Sequence, residues 1–155
     1  MSDSTAEAEP KVIADIHEML ATLELVGIKF FEMSAKVDED PIEGEPLPEA
    51  SPSYSLKLMG DLDSLTVRLR AEMFTPEGRI VADAGAQYRS QVPYTAEESI
   101  RLEFANRVGI MALAPFLREA IATTSLRVLD KSYLLPLLRA GDLEFLAGPD
   151  DSTEG

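Results

Sequence analysis

The chain has 155 residues, 45% hydrophobic and 27% charged, with one histidine, no cysteine and a formal net charge of −14. A chain of this length buries enough surface for one domain with a real core, and without cysteine it holds neither disulfides nor thiolate metal sites. Its acidity repels nucleic-acid phosphates and anionic lipid, so neither nucleic acid nor a membrane surface is expected as a partner.

The charge is uneven: residues 1–50 hold 13 acids and 3 lysines. It serves solubility, or it keeps an apolar surface from self-association, or it meets a basic partner. The N-terminal MSDSTAEAEP has neither the basic nor the apolar region of a secretory signal. No apolar run reaches the ~18 residues of a membrane helix, so a cytoplasmic location is expected.

Residues 1–9 and 148–155 read as disordered acidic termini around a domain spanning 10–147. Val12, Ile13, Ile16, Met19, Leu20 and Leu23 fall at helical spacing. With Pro10 in the first turn and Gly27 as the stop, they predict an amphipathic helix over 11–25. His17 lies at the edge of its apolar stripe and reads as a surface residue. Ile28 to Val37 alternates as a strand, with Phe31, Met33, Ala35 and Val37 on one face and Phe30 on the more polar one. Residues 38–53 then bring four prolines and six acids, a long crossover connection with Ile42 and Leu47 as its apolar contents.

A second strand carries Tyr54, Leu56 and Leu58. A third alternates Leu65, Val67, Leu69, Ala71 and Met73 with Thr66, Arg68, Arg70 and Glu72. After the Pro76-Glu77-Gly78 turn, a fourth strand places Ile80, Ala82, Ala84, Ala86 and Tyr88 on one face. The alanines predict either a closely packed helix or an open groove. Thr95 to Glu98 reads as a capping box for a long helix that fades after Thr123-Thr124-Ser125. From Val108 to Leu117 that helix has no charge. A helix apolar all round must be covered all round, and one sheet covers one side, so a second subunit is inferred over the other. Gly109 in mid-helix costs about 1 kcal/mol relative to alanine and predicts close backbone approach. Gly141-Asp142 then opens a short last helix, Leu143 to Leu146.

Catalytic signals are weak. A single histidine removes most nucleophile–base pairs and zinc sites, and neither GxGxxG nor a Walker loop occurs. Asp61 and Asp63 lack the further ligands of a calcium loop, and Arg68 and Arg70 read as partners for acids. A binding protein without cofactor or metal is expected, rather than an enzyme.

Pro115 sits inside the uncharged helix. Its missing N–H and its ring cost about 3 kcal/mol there, yet the helical pattern resumes at Phe116, so a kink is predicted rather than a stop. Ala114-Pro115-Phe116-Leu117-Arg118-Glu119 resembles the Phe-Pro-Tyr-Ala-Arg-Glu segment of the main helix of bacterial SecB chaperones. Leu135-Pro136-Leu137 is similar to the segment before SecB's last helix, and the order of elements agrees over residues 28–146. The resemblance implies an α+β fold: a four-stranded antiparallel sheet with a long kinked helix and a short C-terminal helix on one face. Here an extra N-terminal amphipathic helix is added.

It further implies a dimer of dimers with the long helices at the interface, which assigns Val108, Gly109, Ala112, Pro115 and Phe116 to subunit contact. Function would be that of an ATP-independent holdase, gripping apolar segments of unfolded client proteins in a groove of Ile42, Leu47, Tyr54, Leu56, Leu137, Leu143, Phe145 and Leu146. SecB also docks the SecA ATPase through acids on the open sheet face. Glu32 and Asp83 match acidic positions and Val81 an apolar one, but Lys36 stands where an acid is expected. The extra helix resembles SecB-like chaperones of toxin–antitoxin systems, which, with Lys36, implies a dedicated antitoxin as client ahead of secretory preproteins, the other client class the resemblance allows. Two other readings stay open: a small apolar ligand enclosed between sheet and helix, and a subunit serving assembly alone.

Overall fold

The computed structural model describes residues 9–39, 50–139, 142, 143 and 145. The main sheet consists of β2 (Leu23–Val37), β3 (Ser51–Asp61), β4 (Ser64–Phe74) and β5 (Gly78–Ser90), antiparallel in the order β2-β5-β4-β3. Two-residue strands β1 (Lys11–Val12) and β6 (Tyr94–Thr95) pair in parallel, and α1 (Ile16–Thr22) runs straight into β2. After β6 come α2 (Glu98–Phe104), a π-turn over Ala105–Gly109 and α3 (Ile110–Leu129). The expected α+β sheet-and-helix architecture is present.

Alternation sets the layers. Leu65, Val67, Leu69, Ala71 and Met73 of β4 and Ile80, Ala82, Ala84, Ala86 and Tyr88 of β5 form the helix-side face and are all buried. Phe104, Leu113, Leu117 and Ile121 meet them from the helical layer, with the Phe104 ring edge-on to Tyr88 at 4.9 Å. Ala82, Ala84 and Ala86 are each at most 1% exposed. Of the two outcomes the alanines predict, the closely packed helix is the one found, and it occupies the space that an enclosed apolar ligand between sheet and helix would need.

Gly109 shows how close the approach is. A Cβ there would lie 2.6–2.8 Å from the side chain of Val67. The close contact inferred for Gly109 is therefore with β4 of its own chain.

Several local expectations are corrected. The N-terminal helix is Ile16–Thr22, not 11–25, because Lys11 and Ile13 instead donate backbone N–H groups to the carbonyls of Pro93 and Thr95. Its capping pair is Asp15 and Glu18: Asp15 accepts from the Glu18 N–H at 2.9 Å, and Glu18 accepts from the Ala14 N–H at 2.7 Å. Thr95 caps nothing. It belongs to β6, and α2 starts at Glu98 without a side-chain cap.

In β2 the register shifts between Phe30 and Glu32, leaving Phe31 as the extra residue of a bulge. The slip moves Ile28 and Phe30 onto the helix side, where they pack on the core, and puts Phe31 on the open face. The strand read without a bulge gave the opposite assignment.

The long helix does not fade at Thr123. Thr123 and Ser125 hydroxyls donate to the carbonyls of Glu119 and Ala122, so both are satisfied within the helix. It ends at Asp130, in the left-handed conformation with φ 59°. Pro115 lies within α3, which continues through it. Just upstream is the π-turn, where the Ile110 N–H reaches back to the Ala105 carbonyl.

Gly109→Ala gains helix propensity but drives a methyl into Val67. Net destabilisation of about 1–3 kcal/mol is expected in urea unfolding. Val67→Ala in the same chain should relieve part of it, so additive losses in the double variant would contradict the packing argument.

Candidate functional site

Helix α3 packs over β5 and β2 and only lightly over β4. The helix-side face of β3 is left at the margin. Tyr54, Leu56 and Leu58 alternate along it, half-buried against the core edge, opposite Ala71, Leu69 and Val67 of β4. The Tyr54 hydroxyl is buried without a hydrogen-bond partner among the described residues, and desolvation pushes its pKa up.

The chain beyond α3 turns back along the helix, held by side chains of its successive turns. The Tyr133 N–H donates to Ser125 Oγ at 2.8 Å. Arg118 Nε donates to the Leu135 carbonyl at 2.8 Å, and Leu135 is buried. Asn106, in the π-turn, donates through Nδ2 to the Phe145 carbonyl at 2.7 Å and accepts the Phe145 N–H at 2.9 Å. Tyr133 also donates its hydroxyl to the Glu77 carboxylate.

This returning segment brings Leu138, Leu143 and Phe145 half-buried against the core. Leu137 remains 72% exposed and Leu134 61%. Gly109 sits on Val67, and Val67 is paired with Leu58 of β3. The Asn106–Phe145 clamp is one turn from that point. An apolar surface thus borders β3 at one end and the returning leucines at the other.

Of the residues expected to line a client groove, Tyr54, Leu56, Leu143 and Phe145 are half-buried in this region and Leu137 is exposed. Ile42, Leu47, Leu146 and position 144 of the expected last helix lie outside the described residues, although Asp142 accepts the Arg139 N–H at 2.8 Å in a turn. Leu58 was not singled out, although its alternation with Leu56 was visible. Asn106 and the role of Arg118 were also missed, since their partners lie 39 and 17 residues further on.

The side of the π-turn and α3 turned from the sheet carries Val108, Met111 and Ala112 half-buried, Pro115 exposed, Phe116 45% exposed and Leu126 53% exposed. Four of the five expected interface residues stand on this seam. Gly109 does not.

Glu32, Val81 and Asp83 fall on the open face of the sheet. Val81 and Asp83 are each 1% exposed. Arg68 grips Asp83 with two hydrogen bonds of 2.9 Å, and Arg70 contacts Glu32 at 2.8 Å and Asp83 at 3.4 Å. Hydrogen bonds from Ser34 and Arg70 hold the Glu32 carboxyl below the usual carboxylate range. These positions offer no free carboxylate.

His17 is exposed. Asp61 accepts from Ser64 Oγ at 2.9 Å and from the Asp63 N–H at 3.4 Å, as expected of a hairpin turn. Among the described residues no cluster of three or more His, Asp or Glu side chains is placed to hold a metal ion, and no helix is long and apolar enough to cross a membrane.

The SecB-like chaperone SmegB of Mycolicibacterium smegmatis is 30% identical over 144 residues, which span 90% of this chain and 92% of that protein. The chain belongs to the SecB-like chaperone family. The SecB-like chaperone Rv1957 of Mycobacterium tuberculosis, solved in complex with a ChAD peptide from the Rv1956 HigA1 antitoxin, superposes with a TM-score of 0.64. That match has 16% identity and covers 79% of this chain and 95% of the other, so it supports the SecB-like fold alone. No family model matches the chain.

For this SecB-like chaperone the Asn106 clamp is testable by limited proteolysis. Asn106→Ala removes both bonds to Phe145 and should free the segment around it, giving faster tryptic cleavage after Arg139. Global stability should fall by only about 1–2 kcal/mol. Unchanged cleavage would show that apolar packing alone holds the segment.

Proposed function

We propose that the protein is an ATP-independent holdase that binds short apolar segments of non-native chains along β3 and the returning C-terminal segment. The observation that carries this is the apolar margin beside Tyr54, Leu56 and Leu58, left uncovered by α3 and bordered by exposed leucines. Membership of the family supports it. An antitoxin segment is the favoured client, because the structurally similar chaperone was solved with an antitoxin peptide. SecA is not part of the reading, since Glu32 and Asp83 are already engaged by arginines.

Aggregation of an unfolded client should be suppressed at stoichiometric ratio, and light scattering should show a complex of defined mass with a permanently unfolded model protein. Leu137→Asp should weaken capture about tenfold, the worth of one buried leucine contact, and leave the unfolding curve in place. A chaperone that ignores the client, or a Leu137→Asp variant that holds it equally well, would count against this groove.

The apolar seam of α3, uncovered among the described residues, supports assembly through that face, as the dimer of dimers that the SecB resemblance implies. Phe116→Asp places a charge in the seam and should lower the solution mass without unfolding the subunit. An unchanged mass would move the interface elsewhere.

A further inference from the structure

The open face of the sheet differs in character from the rest of the molecule. The register aligns Lys57, Arg68, Gly85 and Lys29 in one row across all four strands. No carboxylate stands in that row. The next row adds Arg70, and two rows beyond it, toward the end of the strands, stand Arg79 and Lys36. The carboxylates among them are Glu32, Glu72 and Asp83, each already in an ion pair with an arginine. Lys29, Lys36 and Lys57 pair with no carboxylate among the described residues. A chain with a net charge of −14 thus carries a surplus of cations at the centre of one face.

An aromatic ring lies at the middle of the row. The β2 bulge turns Phe31 over Gly85, where a Cβ would come within 3.0 Å of the ring. The Arg68 guanidinium is 4.0 Å from the ring centroid and Lys29 Nζ is 5.2 Å. Beside it, Ser55, Leu56, Lys57, Arg68 and Arg70 line a shallow depression, together with Asp83, whose carboxylate is held by the two arginines.

We propose that this face docks an acidic polypeptide segment of a partner protein, with carboxylates on Lys29 and Lys57 and an apolar side chain on Phe31. The four strands span about 15–20 Å, the length of some six extended residues. Nucleic acid fits worse. A duplex carries a charge every ~1.7 Å well beyond such a patch, and it would run onto the surface of a strongly acidic protein. The site lies on the opposite side of the sheet from the client groove and does not depend on it.

The test is fluorescence anisotropy with a short labelled peptide of glutamates around one leucine. Saturable binding is expected that weakens with salt, since the Debye length is about 8 Å at physiological ionic strength. Lys29→Glu with Lys57→Glu should weaken it about tenfold or more. Arg127→Glu with Lys131→Glu, the same change of net charge on the helix layer, should leave it intact. If the reversed lysines disturb folding, Lys29→Gln with Lys57→Gln gives a milder version of the same comparison. Absence of saturable binding, equal losses in both charge-reversed pairs, displacement by an unfolded client, or equal competition by duplex DNA would each overturn the proposal.

Discussion

The molecule depends on how closely one helix can lie on one sheet. Ala82, Ala84 and Ala86 on β5 and Gly109 before α3 remove side-chain bulk where the two layers meet. Dispersion attraction falls steeply with separation, so this seam makes a thin core a well-packed one. It also fixes where the helix goes. Seated over β5 and β2, α3 cannot cover β3, and its far side faces away from its own sheet. The two apolar surfaces left over, one beside β3 and one on the outer helix, both follow from that placement. In the proposed reading the first takes clients and the second takes another subunit.

The other face of the sheet is governed by charge. Asp83 is buried on a central strand, where an unpaired carboxylate would be very unfavourable. It is tolerated because Arg68 meets it with a two-pronged hydrogen bond and Arg70 bridges it to Glu32. An isolated buried ion pair contributes little to net stability, but this network sets the orientation of both arginines. Arg68, fixed in this way, stacks on Phe31.

Much of the fold was legible in the sequence because its signals are periodic. β4 reads without ambiguity, alternating over eleven residues. Long-range pairings were not legible. The two-residue bridge of β1 to β6 replaced a predicted helical turn, since nothing local in Lys11-Val12 announces Tyr94-Thr95. The bulge at Phe31 was hidden as well, because a one-residue slip inverts the faces and leaves no mark in composition. At the candidate groove, the apolar residues of β3 were visible as a pattern. The hydrogen bonds of Asn106 and Arg118 to backbone far along the chain were not.

The β1–β6 bridge has a kinetic consequence. Its partners are more than eighty residues apart, and the prize for closing that loop is only two residues of pairing. Loop-closure entropy makes such a contact late to form, and its small size makes it early to open. The segment before α1 is then a latch laid over an already folded domain. When it lifts, Ile13, which the segment itself carries into the core, and Tyr94, the strand partner of Lys11, both buried in the closed state, become the first apolar side chains that the native protein shows to water.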